Sequence, residues 1–381
     1  MHRLFITLVL ASGSYAACIS SGDQTNINNA FRSGGAGTVV QLCANAVLSI
    51  TDSVKFTAAN QEISTEGYPT GSTRATLQVA KGSNVSTLIS GTGYDGVKVR
   101  NIQVDGNRPN AGYLHNGGAN IELGGTSNGQ VIDHVASRNP RGWSCLHVTE
   151  SGDSGCRNAT VTNNDIGPCG HSGTNSAGQG QWADGISFAC TASEVSDNTI
   201  VSPTDGGIVI FGAPGTTVTR NTIISSETDL SFGAINLVDP TYNGNYANVK
   251  VTDNTIQGRK LFGSGIAIGA CTWSGPCRSP YFYKGPTTVT GNKFSGNIAF
   301  AIPINGWSDG LKVTGNDISG VNKPVSSYAT DNQCTGAVKT LFESSAILNY
   351  YPNGIQGTKD LQRDFVSSSG NGTNFICVEP K

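Results

Sequence analysis

A short motif, V-x-x-N-x-I, recurs along this chain and limits its fold more than any other feature. VTNNDIGP places its asparagine at Asn164, VSDNTIVS at Asn198, VTRNTIIS at Asn221, VTDNTIQG at Asn254, VTGNKFSG at Asn292 and VTGNDISG at Asn316. Successive spacings are 34, 23, 33, 38 and 24 residues, so the short steps cluster near two dozen and the longer ones read as insertions. A period of that size, rich in Gly, Asn and β-branched residues, belongs to a solenoid, in which residues one period apart become spatial neighbours.

Each motif is followed by a turn and a small apolar strand opening on Gly or Ala. Examples are Gly185-Ile186-Ser187-Phe188, Gly207-Ile208-Val209-Ile210, Ala234-Ile235-Asn236-Leu237 and Gly265-Ile266-Ala267-Ile268. Period-two alternation puts each Ile and the residue two later on one face, with the residue between them on the other. Short strands joined by tight turns at this period predict an all-β fold, a single-stranded parallel β-helix of about eleven coils between residues 38 and 320. A leucine-rich repeat would require a leucine ladder and a helix per repeat, and the chain has neither. The recurrent asparagine is expected to stack coil on coil as a hydrogen-bonded ladder.

The ends of the chain differ from the repeat. His2 and Arg3 precede the apolar run Leu4 to Leu10, and Ser14-Tyr15-Ala16 supplies small residues before a cleavage point. Residues 1–16 therefore read as a secretory signal peptide, and residues 17–381 as one extracellular domain. Open solenoid ends need covers. Residues 17–37 supply one, a helix capped by Asp23 and reaching Phe31 with Ile27 and Ala30 on its apolar face. Residues 321–381 lose the period and are expected to supply the other. The ten cysteines, even in number, suit disulfides in an oxidising compartment. Proximity in the chain pairs Cys18–Cys43, Cys145–Cys156, Cys169–Cys190, Cys271–Cys277 and Cys334–Cys377. No close C-x-x-C pair offers a zinc site. Sequons begin at Asn84, Asn158 and Asn371.

Charged residues make up 13% of the chain and the net charge is −2. No basic stripe points to nucleic acid, and no later run is long and apolar enough for a membrane span. A monomer is expected.

The coil pattern, with Trp182-Ala183-Asp184-Gly185-Ile186, Asn198-Thr199-Ile200 and Thr204-Asp205-Gly206-Gly207-Ile208, resembles the pectin-lyase-like superfamily of right-handed parallel β-helices. The resemblance spans nearly the whole chain after residue 16. It implies a glycan ligand, since that superfamily is mostly polysaccharide-active. The Asp-Asp, Gly-His-Gly and Arg-Ile-Lys series of polygalacturonase-like hydrolases and the Asp-Pro-His of alginate-type epimerases are missing, so a site must be argued from placement.

With Ile121, Leu146, Ile186, Ile208 and Ile235 in register, the next outward positions are Glu122, His147, Ser187, Val209 and Asn236. Coils stack about 4.8 Å apart, so Glu122, His147 and Ser187 would form a polar row on one outer face. Asp184 and Asp205 fall at the mouths of neighbouring strands, and Asp239 at the exit of the next. Paired carboxylates suit glycoside hydrolysis, with Asp184 and Asp205 favoured, Glu122 a partner and His147 assisting. The rival chemistry is a uronate lyase or epimerase, which needs a cation such as Arg138 or Arg141 beside a base, or calcium held by Asp184, Asp205 and Glu122. Otherwise no cofactor or metal is expected. A non-catalytic glycan-binding protein is the third reading. Apart from His2, all histidines lie between His115 and His171, and there is no lysine between Lys98 and Lys250. Trp143 and Trp182 flank the row. With Arg141, Asn236, Asp239 and His171 they form the expected substrate-binding set. Inserts bearing Tyr242, Tyr246, Trp273, Tyr281, Phe282, Tyr283 and Trp307 are expected to form glycan-stacking walls.

Overall fold

The computed structural model describes residues 17–150, 155–239, 241–269, 283–304, 307, 310–322 and 355–356. The strands wind as a parallel β-helix whose coils contribute in turn to three sheets. The first sheet has eleven parallel strands among the described residues, from Val39–Leu42 to Ile355–Gln356; ten lie between residues 38 and 320, where the period implied about eleven coils. The second and third sheets run along the other two faces. They merge where the long strand Thr255–Ile268 turns from one face to the other.

Three apolar columns fill the interior. In the first sheet Val99, Ile132, Val161, Val195, Val218, Val251 and Val289 pair one above another, all fully buried. In the second, Ile166, Ile200, Ile223, Ile256 and Phe294 do the same. In the third, Ile89, Ile121, Leu146, Ile186, Ile208, Ile235 and Ile266 stack in unbroken register. β-Branched side chains suit these columns, because their stiff χ1 and their shape fit a pleated surface.

The asparagine ladder lies at the turn between the first two sheets. The Oδ1 of each asparagine accepts from the backbone N–H and the Nδ2 of the asparagine one coil earlier. The backbone N–H donates over 3.0 Å at Asn164, 3.1 Å at Asn198, 2.9 Å at Asn221 and 3.0 Å at Asn254. Each Nδ2 also reaches back to a first-sheet carbonyl, as Asn198 does to Val161 and Asn221 to Val195. One side chain therefore ties three coils. The residue before each ladder asparagine has positive φ, from 55° at Arg220 to 71° at Gly291, which lets the chain turn the corner.

The N-terminal cover is the helix α1, Gln24–Gly34, whose N-cap Asp23 accepts from Thr25 N. Ile27 and Phe31 are fully buried and Ala30 packs against the same core. The Cys18–Cys43 bridge forms as expected. The other two described bridges differ: Cys145 joins Cys169 and Cys156 joins Cys190. They link stacked coils instead of near neighbours in the chain, since Arg157 bridges Thr191 and Cys169 bridges Pro203 across the stack. The Cys271–Cys277 and Cys334–Cys377 pairings, residues 1–16 and nearly all of 321–381 lie outside the described residues.

The aromatic inserts also depart from expectation. Tyr242, Tyr246, Tyr283 and Trp307 are buried. Tyr246 lies 5.6 Å from Tyr283 and 5.3 Å from Trp307, centroid to centroid. Their hydroxyls close corner carbonyls, Tyr242 on Ala189, Tyr246 on Ile210 and Tyr283 on Val238. They are core and not glycan walls. Trp273, Tyr281 and Phe282 lie outside the described residues.

Two outcomes follow. Asn221→Ala takes the acceptor from the Asn198 backbone N–H and Nδ2 and a donor from Val195 O and Asn254 Oδ1 inside a buried stack, and it should cost about 2–4 kcal/mol in denaturant unfolding. Asn316→Ala, at the part-buried end of the ladder, should cost less than half as much. Non-reducing peptide mapping should recover Cys145–Cys169 and Cys156–Cys190, and no Cys145–Cys156 peptide.

Candidate active site

The outer face of the third sheet carries the expected row. Ser90, Glu122, His147, Ser187, Val209, Asn236 and Ala267 are consecutive cross-strand partners. Alternation along each strand fails at one place, and that failure makes the site. A Cβ built on Gly185 would meet Gly207 O at 2.5 Å and Ile200 Cγ2 at 2.7 Å, so position 185 faces the interior, as Ile186 does. Gly207 and Gly265 repeat this, approaching Ala234 O and Ala301 O at 2.5 Å. Two successive inward residues turn the preceding one outward. At Gly185, Gly207 and Gly265 the corner is glycine because nothing larger fits there, whereas the earlier coils place Leu88, Asn120 and Cys145 at the same position.

Asp184 is that preceding residue. Its Oδ1 accepts from Gly206 N at 2.8 Å and its Oδ2 from Ser187 Oγ at 2.8 Å. Ser187 Oγ lies 3.0 Å from Ser144 Oγ, and Ser144 is the cross-strand partner of Asp184. The carboxyl is 6% exposed. Burial first, and the nearby Asp205 charge second, push its pKa well above the ordinary carboxylate range; the two hydrogen bonds only partly oppose this. Asp205 is half-buried, one residue short of register with Asp184, its N–H donating to Ala183 O at 3.1 Å.

Asn236 leans back over Gly206 of the preceding coil and Gly233 of its own strand. A Cβ on Gly206 would lie 2.2 Å from Val209 Cγ2, 2.6 Å from Asn236 Nδ2 and 3.2 Å from Asp184 Oδ1, so the Val209 methyl, the amide and the carboxyl pack over Gly206 and leave no room for a side chain there. Asn236 is fully buried, yet neither its Nδ2 nor its Oδ1 has a partner. His147 stands edge-on to Trp143 with centroids 4.7 Å apart, and 6.2 Å from Phe211. Burial lowers its pKa to about 4, so the imidazole is neutral above that pH, with a buried, unpartnered Nδ1. Glu122, beside it in the row, is raised by burial. Asp239 is raised to about 6, by burial and then by the Glu150 charge; the Glu150 Oε2 is likewise buried without a partner.

The remaining expected residues divide. Trp143 stays 37% exposed beside His147. Trp182 packs with Phe232, Leu230 and Leu261 into a wall outside the sheet, built on the hairpin Gly170–Thr174 and Gly180–Trp182. His171 is on that hairpin, 3.7 Å from Asp229 Oδ2. Asp229, held well below its usual pKa chiefly by the His171 hydrogen bond, also accepts from Ser172 N at 2.8 Å. The pair fastens the hairpin and does not reach the row. Arg141 is a correction: it is buried and donates to the carbonyls of Ser83, Val85, Ala111 and Gly112, which leaves it to hold two loops together, not a substrate. Arg138 lies on the second sheet, bonded to Asp105 and Gln103. Among the described residues no three His, Cys, Asp or Glu side chains converge as a metal site, so Asp184, Asp205 and Glu122 do not form one. Sequence reasoning missed Ser144, Phe211 and Glu150. Ser144 was open to discovery, because Ser-Cys-Leu-His aligns with Asp-Gly-Ile-Ser.

Comparison with known proteins bears on the fold. A family described as a right-handed β-helix region matches residues 154–318. No curated protein matches the chain. An alginate lyase from Paenibacillus sp. str. FPU-7 superposes with a TM-score of 0.53 at 12% identity, covering 79% of this chain and 95% of that one. An endo-xylogalacturonan hydrolase from Aspergillus tubingensis gives 0.48 at 13% identity over 78% and 90% of the two chains. The coil stack, the family match over residues 154–318 and the superposition on the alginate lyase together show the fold, a right-handed parallel β-helix.

Proposed function

We propose that the protein is a secreted glycoside hydrolase that cleaves a polysaccharide lying along the third sheet, with Asp184 as the proton donor. The observation that carries this reading is the Asp184 carboxyl itself, buried, raised in pKa and oriented through both oxygens. A carboxylic acid whose burial favours its protonated form, beside a second carboxylate, is what protonation of a glycosidic oxygen requires. Asp205 supplies the second group, as base or nucleophile. Glu122 borders the site across His147, and neutral His147 offers a hydrogen bond to a sugar hydroxyl; Asn236, expected to bind substrate, is fully buried and takes no such role. Trp143 presents an exposed ring on which a sugar can stack.

The elimination chemistry of a uronate lyase loses support, because Arg141 and Arg138 are both committed elsewhere. Disulfides between coils fit an extracellular setting. The fold relative that is an alginate lyase agrees with a glycan as ligand.

A panel of neutral and acidic polysaccharides, followed for reducing ends and unsaturated-uronate absorbance together, tests the reading. Reducing ends without absorbance are expected; absorbance, or neither signal, overturns it. Asp184→Asn should lower kcat by about 10²–10⁴ with unchanged melting. The rate should fall on the alkaline side as Asp184 loses its proton. Because the Asp239 charge contributes to the raised Asp184 pKa, Asp239→Asn should move that alkaline limb to lower pH.

A further inference from the structure

Three buried side chains link their oxygens in one line on the third sheet. Asp184 Oδ2 lies 2.8 Å from Ser187 Oγ, Ser187 Oγ lies 3.0 Å from Ser144 Oγ, and Ser144 Oγ lies 2.9 Å from Leu146 O. Both serines are fully buried. Register holds them against Asp184, since Ser144 is its cross-strand partner and Ser187 follows it in the same strand.

The two ends of the line are fixed. Leu146 O is a carbonyl and can only accept, so the Ser144 hydrogen is directed at it and the Ser144 oxygen is left to accept. At the other end Asp184 Oδ1 accepts from Gly206 N at 2.8 Å. That role suits a carbonyl oxygen, so the carboxyl proton, when present, belongs on Oδ2. Between these ends the Ser187 hydroxyl has one hydrogen and two acceptors. With Asp184 protonated, Oδ2 donates to Ser187 Oγ and Ser187 donates to Ser144 Oγ. With Asp184 ionised, the Ser187 hydroxyl turns and donates to Oδ2. Each hydroxyl hydrogen thus has an acceptor in both states, as burial demands.

We infer that Ser187 and Ser144 are positioning residues for Asp184, a two-state hydroxyl relay that keeps its proton on Oδ2 and reverses direction when that proton leaves. The use of the relay in catalysis rests on the hydrolase reading; its existence does not. As Oδ2–H gives its proton to a glycosidic oxygen, the Ser187 hydroxyl swings from Ser144 to the new carboxylate, and no other O–H bond breaks. The acid gains, as it ionises, a charge-assisted hydrogen bond that it did not accept before. The neighbouring charges lack this selectivity. Asp205 and Asp239 disfavour the ionised form through space, and His147 on the preceding strand is neutral above about pH 4.

The two serines should therefore move the Asp184 titration in opposite directions. Ser187→Ala removes the donor to the carboxylate, so the titration should shift to higher pH. Ser144→Ala removes the acceptor that the Ser187 hydrogen needs while Asp184 is protonated and leaves that hydrogen aimed at Oδ2, so the titration should shift to lower pH. Each shift should be at least about half a pH unit, read from the carboxyl-carbon NMR resonance of Asp184 in isotope-labelled protein and assigned by its loss in Asp184→Asn. Shifts of one sign, or no shift, overturn the inference. If either variant does not fold, the unaltered protein still decides. Its Ser187 hydroxyl proton should change resonance with the same midpoint as the Asp184 carboxyl carbon, and a hydroxyl resonance constant through that midpoint overturns the relay. No substrate is needed for these readings. Opposite shifts in a protein that releases no reducing ends from any polysaccharide keep the relay and end the hydrolase reading; reducing ends without opposite shifts do the reverse.

Discussion

The register of the coils from residue 132 onward depends on the asparagine stack. A parallel β-helix holds its register only if each coil is kept from slipping on the next, and a slip of one residue would turn every inward side chain outward. Backbone pairing alone is indifferent to that choice in strands only three residues long. The ladder removes the indifference, because an asparagine amide can bond the next amide and the previous coil's carbonyl only when all coils share one alignment. The Val and Ile columns then add burial to an alignment already chosen. Extra length between ladder positions emerges as loops and does not disturb the stack.

The departure from alternation at Gly185 shows how a regular scaffold acquires chemistry. Placing two neighbours inward there requires glycine at the corner and delivers the residue before it to the outer face. At most coils that outward residue is small or neutral: Ser144, Gly206, Gly233 and Ser264. At one coil it is Asp184. The same corner that the scaffold needs for shape becomes a holder for a carboxyl, with the next coil's N–H and a row serine as its fixed partners. Burial there disfavours the charged form, so the raised pKa is first a product of position, to which the Asp205 and Asp239 charges add.

How much could be read from the chain follows from whether each signal was periodic. The columns, the ladder, the row Glu122–His147–Ser187–Asn236 and the helix cap all repeat or follow from a repeat, and alignment finds them. The bridges did not yield to proximity, because separations of 24 and 34 residues equal one turn of the coil; distance around the solenoid, and not along the chain, decides what touches. The insert aromatics misled for a related reason. A long excursion suggests a wall, yet Tyr242, Tyr246 and Tyr283 turn back to seal corner carbonyls that short turns satisfy by themselves. Arg141 was misread because a lone arginine near a cleft looks available, whereas two loops with open carbonyls had already claimed it.

The positions of the two inner disulfides add a last constraint. In a solenoid each coil is stabilised only by its neighbours, so a local cost stays local. The coils carrying Ser144, His147 and Asp184 bear such a cost: a buried acid and a desolvated imidazole, each unfavourable by itself. Those are also the coils that Cys145–Cys169 and Cys156–Cys190 tie together. A cross-link limits the open states of the segment it spans, and here it opposes the local unfolding that the site would otherwise invite. The strain of holding reactive groups out of water and the staples that restrain it occupy the same three turns of the helix, which is where a surface that must keep its shape while exchanging ligand for water needs them.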